Sequence, residues 1–274
     1  MPGAVAAWAE LNAKFGMFPL FKFWGPLADI TSSEWIAQAT QHVINAHKPT
    51  LALCYLPHLD YNLQRLGPEL DHPRMIKDLQ EIDSLCGELI EAAEHEGREI
   101  IVVSEYGITS VTDAVHINRA LRRACLIQVR LELGREVLDP GASEAFAMAD
   151  HQLAHVYVRA LARVGEVKAL LEGLDGVDYV LDAEGLRAVG LNHTRSGELV
   201  AVSHADRWFS YYYWLDDTRA PDFARPVDIH RKPGYDPVEL FVDPELSLPK
   251  LSMAIKLAKR KLGMRNLLDG ISLK

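Results

Sequence analysis

Amphipathic stretches at helical spacing alternate along this chain with short apolar runs that stop at turn residues. "EWIAQATQHVINAH" follows the capping-box pattern Thr31-Ser-Ser-Glu34 and stops before Pro49, which predicts a helix between those signals. "TLALCYL" (50–56) is apolar almost throughout, the pattern of a strand buried on both faces of a parallel sheet. Pro73 opens a second predicted helix, with Met75, Ile76, Leu79, Ile82, Leu85, Leu89 and Ile90 along one stripe and Gly97 as its stop. "EIIVVSEYG" then reads as a strand that delivers Glu105 and Tyr106 to its own tip. Helix–strand–helix–strand makes a mostly parallel sheet flanked by helices the expected fold, in the α/β class.

The second half holds more and shorter elements. "INRALRRACL" predicts a helix, "IQVRLEL" a strand, and "EAFAMADHQLAHVYV" one or two strands around a His-rich turn. "RVGEVKALLEGLDG" predicts a helix, "VDYVLD" a short strand, and "GELVAVSHADRWFSYYYW" an aromatic strand region. "DPVELFVD" reads as a last strand, and residues 250–263 as a closing helix with a solvated basic face. Residues 1–30 form no clear element. No repeat, low-complexity tract or polar linker interrupts 1–274, so a single domain is expected, with 140–200 as an inserted or cap subregion.

Composition narrows the class without naming a function. Apolar residues make up 49% and charged residues 24%, as in ordinary globular proteins. A net charge of −9 argues against a nucleic-acid polymer as partner. No apolar run is long enough to span a membrane, and the first residues lack the plan of a signal peptide. Three scattered cysteines without CxxC spacing suggest buried thiols in a reducing compartment, hence the cytoplasm.

Chemistry-bearing residues gather in four places. "YLPHLDYNLQRLGP" carries His58, Asp60 and Gln64 in what reads as a loop beyond a strand, where α/β proteins place ligands. "SEYG" supplies Glu105 and Tyr106, "VDIHRKPGYDP" supplies His230 and Asp236, and "LNHTRSGELV" supplies His193 and Arg195. Oxygen donors with one or two imidazoles suit a hard or borderline divalent cation. His155, in an apolar alternating stretch, reads as a structural histidine, and the aromatic run 208–214 as core.

The order of these loops resembles the alkaline-phosphatase superfamily, particularly its nucleotide pyrophosphatase/type I phosphodiesterase branch. Tyr55, Asp60, Gly67 and Pro68 match the first motif of that branch, Ser104 and Gly107 the second, and His230, Pro233, Tyr235 and Asp236 the third. "RSGELVAVS" resembles the strand that precedes the last of these loops. The chain departs from the pattern where Gln64 stands for a His, and Glu105-Tyr106 for an Asp-His pair. The resemblance implies metal ligands at Asp60, Gln64, Glu105, Tyr106 and His230, and phosphate or substrate contacts from His193, Arg195 and His58. Two imidazoles replaced by oxygen donors shift the expected ion toward Mn²⁺ or Mg²⁺, with Zn²⁺ the family's other choice.

The family's Thr or Ser nucleophile follows an N-terminal strand, and nothing before residue 50 matches that segment. The expectation is an alkaline-phosphatase-like core without its nucleophile segment, equivalent to the C-terminal portion of such an enzyme. Its function would be metal-dependent hydrolysis of a phosphate ester or nucleotide. The alternative is an inactive domain of the same fold that binds or scaffolds. An uncovered sheet edge would favour self-association into a homo-oligomer.

Overall fold

The computed structural model describes residues 3–227, 231–234 and 236–273. The chain divides into two compact units, Met1–Ile108 and Thr109–Lys274.

The first unit is helical among its described residues: α1 (Ala4–Phe15), α2 (Leu20–Phe23), α3 (Thr31–His47), α4 (His58–Leu66) and α5 (Pro73–His95). The Pro and Gly punctuation works as the sequence suggests. Pro73 occupies the first turn of α5, His72 accepts the Arg74 N–H through its ring, and Gly97 takes a positive φ of 66° beyond the end. The capping box does not form. Thr31 already lies inside α3, and the Asp29 carboxylate accepts the Thr31 N–H instead.

Tyr61 of α4 fixes the unit's interior. Its ring is buried, and its hydroxyl donates to the Phe23 carbonyl at 2.5 Å and lies 3.2 Å from Ser32 Oγ. Arg65, one turn on, donates to the carbonyls of Gly25 and Ala28. Residues 3–30, unassigned from sequence, therefore form α1, α2 and a loop whose Phe23, Gly25 and Ala28 carbonyls are held by α4.

The second unit is mixed. It contains β1 (Asp113–Val115), α6 (Ile117–Arg123), β2 (Val129–Glu132), β3 (Arg135–Leu138), β4 (Ala145–Asp150), β5 (Leu153–Val158), α7 (Val164–Glu172), β6 (Val177–Leu181), α8 (Ala183–Ala188), β7 (Leu199–Ser203), β8 (Arg207–Phe209) and α9 (Pro249–Lys261). A four-stranded sheet of order β4-β5-β7-β6 is antiparallel throughout. Strands β2 and β3 form a hairpin, and β1 pairs with β8 in parallel.

This corrects the expectation of a mostly parallel sheet. Strands β4 and β5 are joined through His151 and Gln152, a connection too short for parallel neighbours. In β4, burial alternates along the strand, as in a sheet with one wet face. Segments 50–56 and 99–107, read as buried parallel strands, carry no strand assignment, and their apolar side chains are largely exposed. "DPVELFVD" contains a 3-10 turn, Pro237–Leu240, in place of a strand, because Asp236 accepts the Val238 N–H and Pro237 cannot donate to a ladder.

The second unit's core lies against this sheet. Leu121, Val156, Leu171, Leu199, Phe209 and Trp214 are fully buried in it. The aromatic run 208–214 is core, as its pattern suggests. Gly197, in the "RSGELVAVS" stretch, sits so close to β5 that a Cβ would lie 2.6 Å from the Val156 carbonyl oxygen. Gly234, at φ 148°, bridges to Ala149 and leaves no room for a Cβ against Tyr211.

Candidate active-site residues

Asp60 and Tyr106 meet although 46 positions apart, the Tyr106 hydroxyl donating to Asp60 Oδ2 at 2.5 Å. Asp60 lies in the first turn of α4, where the helix's exposed N–H groups favour a carboxylate. Tyr106 is set by its own turn, in which Ser104 Oγ donates to the Tyr106 carbonyl at 2.7 Å. Burial, then the hydrogen bond to Asp60, pushes the Tyr106 phenol far above its usual pKa. Tyr55 is raised too, by burial first and by the Asp60 charge second. The pair is thus a carboxylate with a phenol that keeps its proton.

Gln64 lies one helical turn beyond Asp60 on α4, so the two side chains share a face. Its Oε1 is buried without a hydrogen-bond partner. Glu105 is exposed, and its charge adds to the rise of the Tyr55 pKa. An orphaned amide oxygen one turn from a carboxylate fits a hard divalent cation, which takes oxygen donors. Tyr106 fits less directly: as a protonated phenol it donates to Asp60, and ligation would require a cation to displace its proton.

His58, at the start of α4, is buried and turned toward α5. Its Nε2 lies 3.4 Å from both Asp78 Oδ1 and Glu81 Oε2. Asp78 and Glu81 escaped the sequence reading because carboxylates on a long amphipathic helix normally mark its solvated face. Their i,i+3 spacing, next to a loop histidine, was the only available signal.

His193 and Arg195 belong to the second unit and are exposed. His193 Nδ1 accepts the Arg195 N–H at 3.2 Å, and the Arg195 carbonyl accepts the Tyr157 hydroxyl at 2.9 Å. His155, expected to be structural, accepts the Gly197 N–H at 3.2 Å. His230 lies outside the described residues, as do Asp228 and Tyr235.

Their described neighbours form a dry polar cluster. Asp236 is buried, with its pKa raised by desolvation against the pull of hydrogen bonds from the Val238 N–H and the Tyr212 phenol. Lys232 Nζ lies 3.0 Å from Glu239 Oε1, both buried, and 5.8 Å from the centre of the Tyr211 ring.

The three cysteines are free. Cys54 and Cys125 are exposed and Cys86 is half-buried, so the expectation of buried thiols does not hold for the first two. Cys54 sits in the uncovered 50–56 segment, and Cys125 in a left-handed turn just past α6, at φ 58°. No helix among the described residues is long and apolar enough to cross a membrane.

Comparison with solved structures finds phosphonoacetate hydrolase from Sinorhizobium meliloti in complex with phosphonoacetate, at 17% identity and a TM-score of 0.46. The match covers 67% of this chain and 44% of that one. Murine ectonucleotide pyrophosphatase/phosphodiesterase 5 matches at 18% identity and a TM-score of 0.45, over 66% of this chain and 45% of its own. An AMP complex of the murine protein matches equally. The chain spans less than half the length of either protein. No curated protein matches it. The family described as type I phosphodiesterase / nucleotide pyrophosphatase matches residues 3–236, across both units and all four clusters. The chain belongs to the type I phosphodiesterase/nucleotide pyrophosphatase family.

Proposed function

We propose that this chain serves metal-dependent hydrolysis of phosphate esters, with a nucleotide or similar small phosphodiester as substrate. The observation that carries the reading is the meeting of Asp60 with Tyr106, from two stretches that resemble the family's first and second motifs, although Tyr106 itself departs from the second. In this reading Asp60, Gln64 and Glu105 hold the cation, and Tyr106 positions Asp60 by its hydrogen bond. A divalent cation there supplies Lewis-acid stabilisation of charge on the phosphoryl oxygens.

The protein's own part is to orient and to hold protons. Tyr106, kept protonated, fixes the Asp60 carboxylate by its hydrogen bond. Gln64 turns an unsatisfied carbonyl oxygen toward the same role. Arg195 offers a charged fork for a phosphate, and His193 is held beside it by the turn they share.

The test is hydrolysis of bis(p-nitrophenyl) phosphate by the full chain, with and without Mn²⁺. Turnover is expected to depend on the ion and to fall about 100-fold or more in Asp60→Ala. Tyr106→Phe should lower it less and leave ion dependence in place. Absence of ion-dependent turnover in the unsubstituted chain overturns the reading and leaves the binding or scaffolding alternative.

A further inference from the structure

Helices α4 and α5 bring together a second set of ligating atoms, distinct from the Asp60–Tyr106 pair. We propose that His58, Asp78 and Glu81 form a divalent-cation site, of the borderline class to which Zn²⁺ belongs, with a fourth position open to water or a ligand. One ligand atom from each of the three residues falls in a cluster whose members all lie within 4.8 Å of one another. His58 stands at the first residue of α4, while Asp78 and Glu81 project from one face of α5.

The imidazole gives the independent sign of a ligand. Its side chain is only 4% exposed, yet neither ring nitrogen has a hydrogen-bond partner. Buried polar atoms in native proteins are normally satisfied, and a group left over asks for an ion or water. Nε2 is aimed between the carboxylates, 3.4 Å from an oxygen of each, without hydrogen-bond geometry to either. That separation is the one two ligands adopt around a tetrahedral ion with bonds of about 2.1 Å.

An imidazolium clasped by two carboxylates is the competing arrangement. It fits less well, because one Nε2–H shared between two oxygens at 3.4 Å makes only a weak three-centre bond, whereas one cation can bind all three donors. The surroundings also favour ligation. Asn62 Nδ2 donates to the other Asp78 oxygen at 2.6 Å, and Arg65 approaches the Asn62 carbonyl at 3.4 Å, a chain that fixes the carboxylate's orientation. Lys77 Nζ engages Glu81 Oε1 at 2.9 Å and leaves Oε2 facing His58. Glu81 remains 29% exposed, so the site has a way in from solvent. One imidazole with two carboxylates suits a borderline ion, and three protein ligands leave the fourth position for exchange.

The test is titration of the chelator-stripped full chain with Co²⁺, read by visible d–d absorption, and with Zn²⁺, read by ion content after dialysis. The unsubstituted chain should develop the intense absorption of low-coordinate cobalt and retain Zn²⁺. His58→Asn and Glu81→Gln should each retain about one ion fewer per chain and lose the absorption, while Asp60→Ala keeps the ion and the absorption that depend on His58 and Glu81. Glu81→Gln changes a partly exposed side chain and decides the matter if His58→Asn fails to fold. No ion taken up by the unsubstituted chain, an unchanged count in Glu81→Gln, or an absorption lost only in Asp60→Ala would each overturn the site. None of these readouts depends on turnover, so the result stands apart from the proposed hydrolysis.

Discussion

Single residues in this protein reveal their roles through what surrounds them. Lys232 and Glu239 form an ion pair with almost no solvent access. Breaking a buried pair costs more than the pair itself contributes, because the remaining charge stays desolvated. Lys232→Met should therefore lower unfolding stability by about 3–5 kcal/mol in urea denaturation. A loss within the range of surface substitutions would mean that Glu239 is well solvated or otherwise compensated. Tyr213 makes a pH prediction. Burial raises its phenol to about 12, while the unfolded side chain titrates near 10. The unfolded chain loses its proton first, so this contribution is complete below about pH 10 and disappears as pH rises through about 12. Tyr213→Phe forfeits the hydrogen bonds to Leu138 and Glu136, about 1 kcal/mol at pH 8, but should lose stability less steeply above pH 10. Parallel pH profiles for the two proteins would refute the assignment.

Elements show where sequence logic holds and where it stops. Helices α3 and α5 were legible because Pro49, Pro73 and Gly97 punctuate them, and the β4–β5 hairpin because its apolar positions alternate. Helix α4 was read as a loop because "HLDYNLQRL" has too few apolar residues to show a period; Tyr61 and Arg65, a phenol and a cation, anchor it through hydrogen bonds instead. Of the expected site, the Asp60–Tyr106 juxtaposition could be anticipated from loop order. Asp78 and Glu81 could not, since nothing local distinguishes a carboxylate facing a histidine from one facing water. Loop order was equally silent about the antiparallel sheet, whose pairing is set by short connections. Asn118 of α6 is another tertiary fact hidden from pattern. It is fully buried, donates to the Ala147 carbonyl at 2.7 Å, and accepts the Ala147 N–H at 2.8 Å, clamping α6 to β4. Asn118→Ala should strand both backbone groups and cost about 3 kcal/mol, checked by the shift in denaturation midpoint at constant slope.

At the scale of the whole molecule, apolar surface is distributed unevenly. The second unit hides its apolar strands in a well-formed core, whereas the first leaves Leu53 87% and Val102 78% exposed. Among the described residues, no backbone N–H of 50–56 or 99–107 joins a ladder, so these runs combine N–H groups outside any sheet with sticky side chains. Such segments recruit other strands unless charge or cover prevents it. The net charge of −9 repels copies at long range, but screening by physiological salt confines that repulsion to about 8 Å. Sedimentation velocity should therefore show a coefficient that rises with protein concentration, and more steeply at high salt. Leu53→Lys combined with Val102→Lys should flatten that rise without moving the second unit's unfolding transition. Amide exchange supplies the complementary reading. The N–H groups of Val156 and Ala201, within the four-stranded sheet, should exchange slowest, and those of 51–53 and 101–103 fast in dilute solution but slower as copies associate. Slow exchange of these six amides at every concentration, with a constant sedimentation coefficient, would mean that the single chain covers its own strands.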